Sequence, residues 1–531
     1  VIKRLVTGPP RPLIAAAVVS ACLALIPLVY LIVRVASAGL AKITESLFRA
    51  RTFETTLTSL ALMVVVVLGC LIIAIPAASL VTRTDLPGRR IWLTVLALPL
   101  AIPSYVAAYA WLAQFPSMSG FWAAALILVA VSYPYVLLPV VAALRSTDPA
   151  LEEVARSLGR SPFAAFRSTT LPQAIPAAAA GSLLVGLYVL SDFGAVSLFR
   201  VDAFTRVIYA SYRASFDRTS AAVLASILVL LALVLVFAER KLRGRSLQYR
   251  TASGTQRIAL LSRLPARLKL VGLAFTTSIV VIAIGVPVVS LLLRLSEGSR
   301  RPLDIGELLN ATLNSAGAAA MGAVIAVALA LPIGLITARY RSAWSTGTES
   351  AAFAGHALPG VVIGLSLVYF TINAVPILYQ TLFTLAFAYA VLFLPKSIGA
   401  TRTSIAAVPP VLEQTARTLG RSPFRAWTQT TFRLAWPGIA AGGLLVLLTA
   451  MKELPATLML RPTGFDTLAT ELWSRTEVAA YGAAAPYALA LIALAAIPAF
   501  ALSMAMSRGG NKESTSIDAR RSASELDTVG A

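Results

Sequence analysis

Histidine is nearly absent from this 531-residue chain. The single His356 stands shortly before a Pro-Gly pair, and one imidazole without partners makes no metal site. Cysteine is almost as scarce. Cys22 and Cys70 both lie in apolar runs, where a thiol behaves as a small hydrophobe, so no disulfide is expected. Charge is sparse as well: 13% of residues are Asp, Glu, Lys or Arg against 58% hydrophobic, with mean hydropathy +0.81. That is too little polar surface to cover soluble domains, and it places the chain in a membrane. Acids are the rarer charge, 23 against 45 Lys and Arg, which leaves a formal +22. Those bases fall between apolar runs and are not gathered on one soluble face, which argues against nucleic acid and for loop charges that set topology. No G-x-x-x-x-G-K-[ST] loop is present to cradle phosphates. Nor is there a paired carboxylate, a Cys/His cluster or a Gly-x-Ser-x-Gly elbow, so no catalysis and no metal site are expected in this polypeptide.

Long apolar runs are what the chain has in abundance. A bilayer core takes about 20 apolar residues of helix. By that measure spans are expected near 13–35, 56–81, 91–113, 121–144, 175–199 and 220–239, then near 268–293, 313–338, 356–374, 378–400, 435–457 and 482–506. The expected fold is an all-α membrane protein with twelve transmembrane helices in two sets of six. Ala36-Ser37-Ala38 imitates a signal-peptidase site, but the run before it exceeds the about 7–15 residues of a cleavable signal and is read as a retained span. With the N-terminus inside, Lys and Arg concentrate in the segments that fall in the cytoplasm, and both termini lie there. Bases are densest from Glu239 to Lys269. The organisation expected is a first repeat at 1–239, a cytoplasmic basic linker at 240–267, a second repeat at 268–507 and a polar, disordered tail at 508–531.

The two sets of six are copies of one another. "LEEVARSLGRSPF" from Leu151 returns as "LEQTARTLGRSPF" from Leu412, an offset of 261. Pro134 and Pro395, Gly181 and Gly442, Asp192 and Glu453, and Phe204 and Phe465 keep that offset, while Pro99 and Pro359 are matched at 260. An even number of spans per copy makes the repeats parallel, so both phrases lie on the cytoplasmic side.

Each phrase reads as two short helices around a glycine corner. Asp148 can cap the first helix, with Pro149 at its first position and Glu152 and Glu153 near the positive end of its dipole. Gly159 and Gly420 supply the left-handed corner, and Ser161-Pro162 and Ser422-Pro423 start the next helix with a cap followed by proline. The first helix of each phrase carries an apolar stripe: Leu151, Val154, Ala155 and Leu158, matched by Leu412, Thr415, Ala416 and Leu419. Helices this short are marginal alone in water, so something must cover the stripe. Two coverings remain open on physical grounds, the chain's own span ends and a groove on a cytoplasmic partner.

The phrase resembles the EAA loop of permeases in binding-protein-dependent ATP-binding-cassette importers, whose pattern runs Glu-Ala-Ala, three residues, Gly, nine residues, Ile, one residue, Leu-Pro. The first copy, in a loop at 145–172, supplies Glu153, Val154, Ala155, Gly159, Thr169, Leu171 and Pro172. The second, in a loop at 402–433, supplies Gln414, Thr415, Ala416, Gly420, Thr430, Phe432 and Arg433; it lacks the Glu, with Glu413 beside it as a stand-in, and the Leu-Pro. The resemblance implies a type I importer permease fold in a bacterial inner membrane. It also implies that the short helices couple to two cytoplasmic ATPase subunits, which would bind ATP and Mg, while this chain carries no cofactor. An extracytoplasmic solute-binding protein would deliver the cargo. "SDFGAVSLF" from Ser191 and "KELPATLMLRPTGFDTLATELW" from Lys452 are similar to the ferric-iron branch of fused tandem permeases. Related fused permeases carry thiamine or other small solutes, which is the nearest alternative cargo.

Asp192 in one half and Lys452 with Glu453 in the other occupy matched positions at the expected outer ends of spans 5 and 11. Ionisable groups at membrane depth are costly unless they face protein, water or the interface. They are read as a polar rim of the translocation path or outer gate, with snorkelling of Lys452 to the headgroups as the alternative. An ion-coupled secondary transporter would instead show acids or broken helices near mid-bilayer.

Overall fold

The computed structural model describes residues 8–147, 150–214, 218–246, 261–297, 304–340, 342–356 and 358–496. The Asp148-Pro149 cap, the middle of the basic linker, the tail at 508–531 and the side chain of His356 lie outside the described residues. Among those described, all regular structure is helical, and the only bridge is an isolated one between Thr84 and Ser262.

Among the described residues, nine helices are long and apolar enough to cross a membrane. In chain order they are span 1 (Arg11–Ala36), span 2 (Ala50–Arg83), span 4 (Phe121–Ser146), span 5 (Pro162–Ser191), span 6 (Thr219–Ala238), span 7 (Ala266–Ser296), span 8 (Ile305–Arg339), span 10 (Leu382–Ala407) and span 11 (Pro423–Ala450). The remaining expected spans take other forms. Span 3 is a pair, Arg89–Ala101 and Ser104–Gln114, bent by 92°, and span 9 is a pair, Ala343–Gly355 and Gly360–Ala374, bent by 97°. The twelfth run is described only over the helix Tyr481–Ala496, and the rest of its expected range, 497–506, lies outside the described residues.

Broken spans are a feature expected of an ion-coupled transporter, so on this point the chain is not distinguished from one. Proline chemistry explains the two breaks. Pro103 and Pro359 both sit at the N-cap of the second segment with matching dihedrals, φ −60 and ψ 146 against φ −59 and ψ 152. A proline disfavours helical geometry in the residue before it, so the first segment stops there. This corrects the pairing of Pro99 with Pro359: the structural counterpart of Pro359 is Pro103, and Pro99 lies in the one-turn helix Leu98–Ala101. The runs expected at 175–199 and 435–457 also end early, at Ser191 and Ala450, and are followed by the separate short helices Gly194–Leu198 and Pro455–Leu460.

Small residues bring the spans of each half together. A Cβ built on Gly181 of span 5 would stand 2.7 Å from the Tyr135 carbonyl oxygen and 2.8 Å from the Val136 Cα of span 4. Gly442 of span 11 meets the Ala400 Cβ of span 10 at 2.7 Å in the same way. Only glycine permits that approach.

The halves also exchange their first spans. Ala17 and Ala24 of span 1 share a core with Ile333, Leu394 and Ile398 of the second half, and Ile279 and Ala283 of span 7 share one with Val131 and Ala195 of the first. Polar contacts repeat the exchange. Arg34 of span 1 lies 5.2 Å over the Tyr369 ring of span 9, while Arg294 of span 7 donates to the Ala113 carbonyl of span 3 and Ser290 to the Ala110 carbonyl at 2.6 Å. The basic linker re-enters at its end. Leu264 N donates to Asp85 Oδ1 at 2.9 Å, and Lys269 Nζ lies 2.7 Å from Asp85 Oδ2, fastening the approach to span 7 onto the loop after span 2.

Candidate functional site

The repeated phrases fold alike. The first helices are Ala150–Ser157 and Pro410–Thr418. Gly159 and Gly420 both have φ +84. Around each, the chain closes by two matched bonds: Gly159 N donates to Arg156 O at 3.0 Å and Arg160 N to Ala155 O at 3.2 Å, and Gly420 N to Arg417 O at 3.0 Å and Arg421 N to Ala416 O at 3.1 Å. That pattern is the left-handed helix stop that glycine favours. Ser161 and Ser422 then cap the following helix, accepting from Ala164 N at 3.3 Å and Arg425 N at 3.5 Å.

Burial separates the two coverings that the stripe allowed. Ala155 is 7% exposed and Ala416 half-buried, each turned toward the chain itself. Leu151, Val154 and Leu158 are exposed, as are Leu412 and Leu419, with Leu158 and Leu419 each at 78%. Phe163 and Phe424 beyond the corner are exposed as well. The stripe is therefore not covered by the described span ends, and two equivalent apolar knobs stand out from one polypeptide.

The acids divide differently from their expected order. Glu153 and its counterpart Gln414 are exposed, whereas Glu152 and Glu413 are half-buried. Glu152 accepts from Thr170 Oγ1 at 2.9 Å, and Glu413 accepts from Thr431 Oγ1 at 3.1 Å. The motif marks Glu153 for coupling, and Glu152 is given only a place beside it near the helix dipole. The signal available was the offset of 261, which pairs Glu152 with Glu413 and leaves Glu153 paired with a glutamine.

The second group lies at the breaks. Asp192 is buried; its Oδ1 accepts from Ala195 N at 3.0 Å and Val196 N at 3.4 Å, and its Oδ2 accepts from the Ser104 hydroxyl at the bend of span 3. Glu453 is buried and caps the matching short helix, accepting from Ala456 N and Thr457 N, both at 3.2 Å. A Cβ on Gly360, at the bend of span 9, would collide with its Oε1. Lys452 crosses between the halves, donating to the Ala101 carbonyl at the bend of span 3 at 2.9 Å. The three residues expected on a polar rim thus brace the broken spans, and backbone N–H groups satisfy the two carboxylates.

A cavity of about 460 Å³ opens between the halves beside these braces. Phe193, Tyr209 and Trp473 form its aromatic wall, with the Phe193 ring edge-to-face with Tyr209 at 4.9 Å between centroids and tilted against Trp473 at 5.1 Å. Arg200, Arg206 and Arg213 line it against one acid, Glu477. No motif announced it, although the three arginines follow one another between spans 5 and 6. Among the described residues, no group of three or more His, Cys, Asp or Glu is placed to hold a metal ion.

Comparison with known proteins matches both halves to one family model, binding-protein-dependent transport system inner membrane component, over residues 70–243 and 330–507. The chain is 36% identical to the Fe(3+)-transport system permease protein FbpB 2 of Haemophilus influenzae, over 90% of this chain and 95% of that protein. Shorter likenesses, each 29% identical, link it to the sulfate transport system permease protein CysW of Escherichia coli, over 34% of this chain and 67% of that protein, and to the molybdate/tungstate transport system permease protein WtpB of Thermococcus kodakarensis, over 29% and 60%.

Proposed function

This chain belongs to the family of binding-protein-dependent transport system inner membrane components, with the family's domain present twice, and from that premise we propose that it is the whole membrane path of a ferric-iron importer. A solute-binding protein on the outer side hands over the iron, two copies of a cytoplasmic ATPase drive the cycle with ATP and Mg bound in those subunits, and both termini lie in the cytoplasm. The near-complete match to a ferric permease supports the cargo. The observation that carries the coupling is the pair of bare apolar knobs, Leu151, Val154 and Leu158 with Leu412 and Leu419, on helices too short to stand in water uncovered.

The mechanism follows from what the braces and knobs connect. An ATPase dimer that closes only when it grips both helices binds one conformation of the permease more tightly than the other, and that difference shifts the population from inward-open to outward-open. Asp192, Lys452 and Glu453 hold the broken spans 3 and 9 against the short helices that follow spans 5 and 11, so these breaks form the gate that the shift opens. Purified permease should retain its ATPase on affinity resin, and vesicles holding the complex should take up ferric iron from loaded binding protein. Retention of the ATPase without iron uptake would remove the cargo and leave the coupling.

A second reading has one specific observation behind it. The cavity sets Arg200 and Arg213, with Arg206 already paired to Asp202, against one glutamate, a net positive lining that disfavours a bare cation and favours an anion, and the partial relatives carry sulfate or molybdate and tungstate in their names. Uptake of labelled sulfate or molybdate into the same vesicles, with none of iron, would select it.

A further inference from the structure

Span 2 ends on Arg83 and span 8 on Arg339, at the same place in the two halves. Arg83 is buried and donates from Nη2 to the Leu144 carbonyl of span 4 at 2.8 Å. Arg339 donates from Nη1 to the Val408 carbonyl, one residue beyond span 10, at 3.0 Å, and from Nη2 to Thr431 Oγ1 at 3.4 Å. Thr170 and Thr431, each almost fully buried in the first turns of spans 5 and 11, are the hydroxyls that donate to Glu152 and Glu413. The same two acids act electrostatically on the two arginines, Glu152 on Arg83 and Glu413 on Arg339. Each guanidinium keeps its Nε buried without a partner among the described residues, and Glu152 and Glu413 are nearby acids whose charge favours the cation.

We propose that Arg83, Glu152 and Thr170 in one half, and Arg339, Glu413 and Thr431 in the other, are a pair of latches that clamp each coupling helix to the cytoplasmic ends of the spans behind it. The inference rests on the coupling role proposed above and adds the residues that carry the motion inward. The exposed face of each helix grips the ATPase. Its opposite face holds span 5 or 11 through the threonine; in the second half Thr431 also accepts from Arg339 of span 8, while in the first Arg83 of span 2 faces Glu152 through charge alone, and each arginine in turn holds the end of span 4 or 10. A displacement of the helix is thereby delivered to three spans together, because a hydrogen-bonded cluster anchored on the buried Thr170 or Thr431 resists being pulled apart one member at a time. These are positioning residues.

The test uses the full permease reconstituted with its ATPase and loaded binding protein, and reads uptake per ATP hydrolysed beside the amount of ATPase retained. Thr170→Val and Thr431→Val keep shape and delete the hydroxyl; Arg83→Met deletes the cation. Each should keep its ATPase, because the outward face is untouched, and lose at least about fivefold in uptake per ATP, the lower end of typical coupling. Thr170→Ser, which restores the hydroxyl, should recover the native ratio. Combining Thr170→Val with Glu152→Gln should cost little more than either change alone, since members of one unit are not additive. Unchanged uptake per ATP in both valine variants overturns the latch, as does full additivity in the combined variant. Loss of the ATPase itself from Thr170→Val also overturns it, by moving the residue into the docking face. A native permease that retains no ATPase at all would refute the coupling role itself, a result that cannot be confused with these.

Discussion

Gly159→Val is the sharpest probe of the corner that presents the first knob. A Cβ on Gly159 meets nothing within 4 Å, so steric crowding is not the cost; the backbone, at φ +84, is. Holding an L residue in the left-handed region costs about 1–2 kcal/mol, a β-branched one being the worse case. That is a factor of roughly 5–30 in the population of the corner as drawn. The helix stop would then open, and Leu158, adjacent to the corner, would lose its fixed place relative to Phe163. The variant should insert and accumulate as the native chain does, because the loop lies outside the spans, yet retain less ATPase and import correspondingly less cargo. Gly159→Asn, which tolerates left-handed geometry, should restore most of both. Gly420→Val, at the same φ and equally free of neighbours, should reproduce the defect from the other half. Reduced permease in the membrane would indicate misfolding instead, which is why accumulation is measured first. Native ATPase retention and native import in both valine variants would refute the reasoning, and the loops would then be ordinary connectors.

Cysteines placed at Ser161 and Ser422 should react with an impermeant reagent from the cytoplasmic side alone; labelling from opposite faces would break the parallel repeat. Gly181→Ala should lower thermal stability in detergent by about 1–3 kcal/mol, the usual cost of overpacking, because its Cβ would press on the span 4 backbone. Gly399→Ala, with nothing within 4 Å of the new methyl, is the matched control and should not lose stability. Asp85, held below the usual carboxylate range by the Leu264 N–H and the Lys269 ammonium, contributes its tether above its unfolded pKa and loses it as pH falls through the lowered value. Proteolysis of the segment before span 7 should therefore accelerate only in acid, and Asp85→Asn should remove that acid dependence while making cleavage faster near neutrality.

Much of this protein was legible in one dimension because a membrane constrains sequence so strongly. Scarce charge, apolar runs of span length and a twice-written loop required an all-helical, duplicated membrane protein, and the helix stops at Gly159 and Gly420 followed from local backbone chemistry alone. Those inferences depend on neighbours in the chain. What depends on neighbours in space was decided only by the tertiary structure: Asp192 and Glu453 are buried braces because the bends of spans 3 and 9 arrive against them, and span 1 packs on the opposite half. The acid that faces inward is Glu152, one place before the one that the motif marks, because helix rotation turns it toward Thr170 while Glu153 faces out. Consecutive residues on a helix point about 100° apart, and which of them meets a buried hydroxyl is fixed by the packing of spans that lie far away in sequence.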